Sequence, residues 1–120
     1  MRYPFYTDLA NADFFEIILR SRKRFGKRAS DRYSALIEQA ILDLAVNPDR
    51  PGTRRMPSLG NGIYFYHIRH SRKQIPQARH RVLRPRHFIA FRLQAATQIQ
   101  ILRIVYDRRK FERLQYKDDQ

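Results

Sequence analysis

The chain has no cysteine, which excludes disulfides and thiolate metal sites. It has only four glycines, and none falls in the G-x-G-x-x-G or Walker spacing of a phosphate loop. There is no Gly-x-Ser-x-Gly elbow and no cysteine nucleophile, so conventional metabolic enzymology is poorly supported. The four histidines, His67, His70, His80 and His87, show neither His-x-x-x-His nor Glu-x-x-His spacing. No metal and no other cofactor is therefore expected. No apolar run approaches the length of a bilayer span, and residues 1–8 lack the apolar core of a signal peptide. The expectation is a cytoplasmic protein that does not use a membrane.

Acidic residues are also scarce. Against 11 Asp and Glu stand 25 Lys and Arg, a net charge of +14 with a pI near 11.0. Arginine supplies most of the excess, and its planar fork suits bidentate pairing with phosphate or carboxylate. Such a surface attracts nucleic acid, the ribosome, an anionic membrane or an acidic protein, without saying which. The hydrophobic content of 42% is that of a globular chain, and 120 residues suit one domain, read as residues 1–120.

Tyr3 to Thr7 reads as a short first strand, placed at a sheet edge by Pro4. Asp8 or Asn11 is the candidate cap of a first helix. Its apolar face is Ala12, Phe14, Phe15, Ile17, Ile18 and Phe25, and Gly26 ends it. A second helix runs from about Arg28 or Ser30 to Val46, with Ala29, Tyr33, Leu36, Ile37, Ala40, Ile41, Leu44 and Ala45 on one face. Asn47-Pro48 stops it. The short connection makes the two helices an antiparallel hairpin. Asp49 to Gly62 reads as a loop, Ile63 to His70 as a strand, and Ser71 to Pro85 as an arginine-rich excursion. Arg86 to Leu93 is a strand with His87, Ile89, Phe91 and Leu93 on one face and Phe88, Ala90 and Arg92 on the other. Gln98 to Tyr106 is the last and most apolar strand, and Arg108 to Leu114 a final helical turn. The fold class is α+β, a helical hairpin on an antiparallel sheet in the order β-α-α-β-β-β, with one sheet face left partly open. Phe14, Phe15, Tyr33, Phe65, Phe88 and Phe91 are assigned to the core.

The stretch Gln98–Leu114 is the most informative. It carries Arg103 inside a strand, where an unpaired buried charge is costly. Arg92 and Arg103 either hold acids such as Asp13, Glu16 or Asp43, or form a cationic site on the open face. The Arg69–Arg86 run is either a solvated face or a contact for phosphate or an acidic partner.

The order of elements and several motifs resemble the ParE branch of the RelE/ParE toxin superfamily. Ala12-Asp13-Phe14-Phe15-Glu16-Ile17 is similar to its Ala-Asp-Leu-x-x-Ile helix opening, and Arg24-Phe25-Gly26 to its aromatic-glycine helix end. Ala29 to Pro48 resembles its second helix and Asn-Pro stop. Arg86-His87-Phe88-Ile89-Ala90-Phe91-Arg92 resembles an Arg-His-x-Ile-x-Tyr-Arg strand, and Ile101-Leu102-Arg103-Ile104-Val105-Tyr106-x-Arg108 an Ile-Leu-Arg-Ile-Leu-His-x-Arg strand. Departures are Tyr106 for the usual His, Arg109-Lys110 for Met-Asp, and an insertion over Ser71–Pro85. The resemblance implies the toxin of a type II toxin–antitoxin pair. Such a toxin inhibits DNA gyrase without catalysis and is neutralised in a hetero-oligomer by a small acidic antitoxin. Target contact is then expected from Arg92, Arg103, Arg108, Arg109 and Arg113. The alternative on the same fold is a ribosome-dependent mRNA endonuclease of RelE type. There Arg92, Arg103 and Arg108 would stabilise phosphate charge, and His87 or Tyr106 would move a proton. Otherwise His87 is a hydrogen-bonding residue of the sheet and Tyr106 packs.

Overall fold

The structure is a computed structural model that describes residues 1–108; of the expected final turn only Arg108 lies within them, and Arg109 and Arg113 lie outside. The elements are β1 (Tyr3–Tyr6), α1 (Asp8–Phe25), α2 (Lys27–Val46), β2 (Thr53–Arg55), β3 (Ile63–His67), β4 (His87–Gln94) and β5 (Gln98–Tyr106). Turns of 3-10 helix occur at Pro57–Leu59, Ile68–Gln74 and Ala78–His80. The strands form one sheet in the order β1-β5-β4-β3-β2. β1 is parallel to β5, and the other neighbours are antiparallel. The expected hairpin on a three-strand meander is present, and the sheet has a further strand, β2, inside the segment read as a loop. β2 is three residues long, carries Arg54 and Arg55, and sits at an edge between Pro51 and Pro57. A strand so short and so charged has no alternating pattern to betray it.

Thr7 caps α1, not Asp8 or Asn11. Its Oγ1 accepts the Ala10 N–H at 3.0 Å and donates to the Leu102 carbonyl at 2.8 Å, so one side chain starts the helix and ties it to β5. Gly26 joins the helices without a loop. Its N–H reaches the Arg22 carbonyl at 2.9 Å, its own carbonyl accepts Ser30 N–H at 3.1 Å, and its φ is +91°. A side chain at that φ would cost about 1 kcal/mol or more. In α2 the buried set Leu36, Ile37, Ala40, Ile41, Leu44 and Ala45 follows the helical repeat, and Asn47 ends the helix before Pro48. α1 is less buried: Phe14, Ile17 and Ile18 pack on the core, whereas Phe15 is 72% exposed and Phe25 also lies in solvent. The apolar face of α1 is wider than the strip the hairpin can bury against a flat sheet, so the core assignment of Phe15 and its place in the buried face are corrected.

The helices cover one sheet face, where Tyr66, Ile89, Phe91, Ile99, Ile101 and Ile104 meet α2. The other face is not open as expected. It holds a smaller core of Leu59, Ile63, Phe65, Ala90, Leu102 and Val105, joined by Met56 and Phe88. The turn through Pro57–Leu59 folds onto that face and delivers Leu59 to it. The faces assigned to β4 are observed, with Ile89, Phe91 and Leu93 toward the helices and Phe88 and Ala90 away from them. β5 carries one extra residue between the pairs Ala90↔Arg103 and Phe91↔Ile101, a bulge at Leu102.

β3 stops at His67 instead of His70. His67 Nδ1 accepts the Arg69 N–H at 3.1 Å, which turns the chain into the 3-10 segment. Ile68 and Ser71, three apart and so aligned in a 3-10 helix, both face inward, and Ser71 Oγ lies 2.7 Å from the Tyr66 hydroxyl. The following excursion is held in place. Arg72 Nε donates to the Val82 carbonyl at 2.6 Å, Arg81 Nε donates to the Ile75 carbonyl at 2.9 Å, and Ile75 and Val82 pack on the core.

Candidate functional site

The far half of β5 positions most of the chemistry. β1 pairs with β5 only up to Tyr6↔Ile101, so the rest of that strand edge needs other partners. Thr7 N–H and Oγ1 take the Ile101 and Leu102 carbonyls at 3.0 and 2.8 Å. The Asp13 carboxylate then accepts the Ile104 N–H at 2.9 Å. Arg103 completes the corner, its Nε and one terminal nitrogen reaching Asp13 at 2.7 and 3.0 Å. Both side chains are largely enclosed, 16% and 14% exposed. Of the two readings of Arg103, the structure has the internal pair, and its acid is Asp13. Glu16 instead pairs with Arg20 and Asp43 with Arg50, each at 3.0 Å.

The remaining expected residues are dispersed. Arg92 is half-buried on β4 opposite Ile63 and Gln100. Arg108 is exposed just past β5. His87 and Tyr106 are register partners, with their rings edge to face at 5.7 Å. His87 does not present a free base. The Tyr33 hydroxyl from α2 is hydrogen-bonded to His87 Nδ1 at 2.5 Å, and its oxygen also accepts the Arg86 N–H at 3.0 Å. Burial holds the His87 ring down to about 4, so it is neutral at pH 7, and burial pushes the Tyr33 phenol up to about 12. The bond braces α2 to β4, so His87 hydrogen-bonds across to the helix layer.

A second cluster lies at the end of the sheet where β3 stops and β4 begins. Asp107, just past β5, accepts from Arg86 Nε at 3.1 Å and from its terminal nitrogen at 2.9 Å. His67 Nε2 lies 3.0 Å from the same carboxylate. Because Nδ1 of His67 already accepts a backbone N–H, Nε2 carries the proton and donates. Partial burial would raise the Asp107 carboxyl, but the bonds from Arg86 and His67 outweigh it and hold it below the usual range. Burial holds the His67 ring below its ordinary value, only partly offset by Asp107. The Arg86 guanidinium also lies 5.4 Å above the Tyr106 ring. Around this anchor opens a shallow cavity of about 420 Å³, lined by His67, Asp107, Leu83, Pro85 and four arginines, Arg69, Arg72, Arg84 and Arg86. Among the described residues no three His, Asp or Glu side chains gather as a metal site.

Sequence reasoning missed His67, Arg86 and Asp107 as a unit. They are brought together by the row His67↔Phe88↔Val105 across three strands, and no local pattern encodes that register. The only available signal was an Asp beside the basic tail, at the end of a strand otherwise free of acids.

Comparison with solved structures gives a similar fold in the "Chromosomal ParDE TA system from P. aeruginosa". The TM-score is 0.65 at 19% identity, over 88% of this chain and 96% of that one. No curated protein sequence matches the chain. Residues 5–111 match the family described as "ParE toxin of type II toxin-antitoxin system, parDE". With the hairpin, the five-strand sheet and nearly the whole chain in agreement, this protein belongs to the ParE toxin family of type II toxin–antitoxin systems.

Proposed function

We propose that the protein arrests growth by binding DNA gyrase in the cytoplasm, performs no chemistry of its own, and is neutralised by an acidic antitoxin. The observation that carries the non-catalytic part is the state of the residues a nuclease would need. Arg103 is clamped by Asp13, and His87 is neutral and bonded to Tyr33. Neither is poised to take a proton or meet phosphate charge without breaking a contact of the scaffold. Arg108, at the exposed end of β5, remains a candidate for target contact, and Arg109 and Arg113 follow it in sequence.

For the antitoxin, α1 offers Phe15 and Leu19, one turn apart and exposed, and α2 offers Leu42 and Val46 in the same spacing. An amphipathic helix with acidic flanks fits such a surface, and β2, the outer strand of the described sheet with Arg54 and Arg55, fits an added strand. The complementary charge speeds association and makes it salt-sensitive.

The test adds purified protein to gyrase with relaxed plasmid, and separately to translating ribosomes with mRNA. Loss of supercoiling with intact message is expected. Codon-periodic cuts in the mRNA with normal supercoiling would instead establish the endonuclease and refute this reading.

A further inference from the structure

The arginine cavity at the end of the sheet is not accounted for by anything above. Arg69 and Arg72 lie three apart on the 3-10 segment, so their side chains project in line. Arg84 and Arg86 lie two apart on the chain entering β4 and complete the rim. The only acid of the lining, Asp107, is already engaged by Arg86 and His67. Three guanidinium groups are thus left without a carboxylate from the lining. Arg69 and Arg84 are exposed and make no side-chain hydrogen bond or ion pair among the described residues. Arg72 is oriented by the Val82 carbonyl through Nε and lines the cavity. Arg72 and Arg86 are thus preset by the Val82 carbonyl and by Asp107, so an anion entering the cavity has to order only Arg69 and Arg84.

The form of the cavity narrows the anion. It is broad and shallow, so it does not enclose a small ligand. Among the described residues its lining has one ring, His67, and that is only 3% exposed. Single-stranded nucleic acid is bound by stacking on aromatic faces, which this described lining does not present. An acidic peptide is bound by an apolar groove or a strand edge, and the lining offers neither, only Leu83, 84% exposed, and Pro85. What fits is a stiff row of phosphates at fixed spacing, met by arginine forks and needing no base contact.

We propose that Arg69, Arg72, Arg84 and Arg86 form a site for the phosphodiester backbone of duplex DNA. The site is sequence-independent. It does not rest on the gyrase reading, because DNA is bound directly.

The experiment uses the full chain without gyrase. Anisotropy of a labelled duplex of about 20 base pairs is measured between about 50 and 200 mM salt. The variants are Arg69→Ala/Arg84→Ala and a charge-matched control, Lys23→Ala/Arg28→Ala, on the exposed helix turn. The cavity variant is expected to bind at least roughly tenfold more weakly at the low-salt end, with the salt slope reduced by about 1.8, the value for two lost phosphate contacts. The control is expected to stay within about twofold of the parent. Equal losses in both variants would mean that net charge alone binds DNA, and would overturn the proposal. So would no binding by the parent, or tighter binding of single-stranded RNA or poly-glutamate than of duplex. Both substitutions are at exposed positions, and unchanged thermal unfolding checks that the fold is intact. A parallel supercoiling assay separates the two readings, since failure of gyrase inhibition leaves the anisotropy result standing.

Discussion

Removing the Asp13 carboxylate tests how the sheet edge is closed. Asp13→Ala takes away the partner of two Arg103 nitrogens and the acceptor of the Ile104 N–H. A cation left unpaired in an enclosed site costs about 3 to 5 kcal/mol, and an unmade backbone bond about 1 more. Arg103 keeps some contact with water, so part of the first cost is relieved, and the loss should total about 3 kcal/mol. For a domain of this size that lowers the melting temperature by roughly 12 °C. Asp13→Asn retains an oxygen for Ile104 and loses the charge, so about half the effect remains. Arg103→Met keeps the stem and removes the cation, and should cost about 1.5 kcal/mol, since Asp13 still accepts from Ile104 and reaches solvent.

The assay is urea unfolding of the four proteins of the cycle, parent, Asp13→Ala, Arg103→Met and the double variant. A coupling of at least about 1 kcal/mol is expected, because either single change removes the same pair. Additive losses would show that the bidentate geometry contributes nothing. The cycle also decides what Arg103 is for. A scaffold residue lowers stability and, once folded protein is compared, leaves target inhibition intact. An Arg103→Met protein with parental stability and no activity would refute the argument and return Arg103 to the target interface.

The His87 brace sets an acid limit. The native ring stays neutral down to about 4, whereas an unfolded chain takes up a proton near 6.5, so stability is present above 6.5 and falls as the pH drops through that window. The loss is about 3 kcal/mol by pH 4, and His87→Gln should remove that share of a pH–stability profile, leaving the smaller shares of His67 and His70, whose rings burial also holds below their ordinary value, and of the Asp107 carboxylate at lower pH. Gly52 sits at φ +103°, and a Cβ there would lie 2.5 Å from His70 Cδ2. Gly52→Ala should cost about 2 kcal/mol in chemical unfolding, and adding His70→Ala should return the steric half but not the backbone half. Phe15→Asp with Leu19→Asp changes exposed positions only, so toxicity should persist while rescue by the co-expressed antitoxin fails. Full rescue would remove the hairpin from the antitoxin interface.

Periodic features were legible in the sequence. The α2 face, the β4 alternation and the Asn47-Pro48 stop follow from spacing and from the steric limits of proline, which act within a few residues. What escaped had causes across the sheet. Thr7 is the cap of α1, in place of the expected Asp8 or Asn11, and its hydroxyl also meets Leu102, ninety-five positions away on β5, a contact no local pattern encodes. Phe15 has the right spacing for a core residue, but how wide a strip is buried depends on the partner surface. His67 broke its own strand through a ring nitrogen that captured the next N–H but one, a competition that hydrophobic pattern does not register. Arg103 was ambiguous in principle. A guanidinium in a strand is equally consistent with an ion pair and a docking site until the neighbour is known.

The distribution of the few acids explains how one small domain can be both stable and strongly cationic. Asp13, Asp43 and Asp107 each hold an arginine at a joint, α1 to β5, α2 to the segment before β2, and the start of β4 to the end of β5. Glu16 and Asp31 hold neighbours on their own helices. These five acids are thus engaged by the scaffold, and Arg69 and Arg84 at the sheet end and Arg108 beyond β5 face outward. Enclosed pairs are weakly screened by salt, whereas exposed cations lose their reach beyond about 10 Å at 0.1 M. Raising the salt should therefore leave the folding equilibrium nearly unchanged while association with DNA, gyrase or antitoxin weakens steeply. If unfolding and association showed the same salt dependence, the joints would be no more protected than the surface, and the separation between scaffold charges and binding charges would not exist.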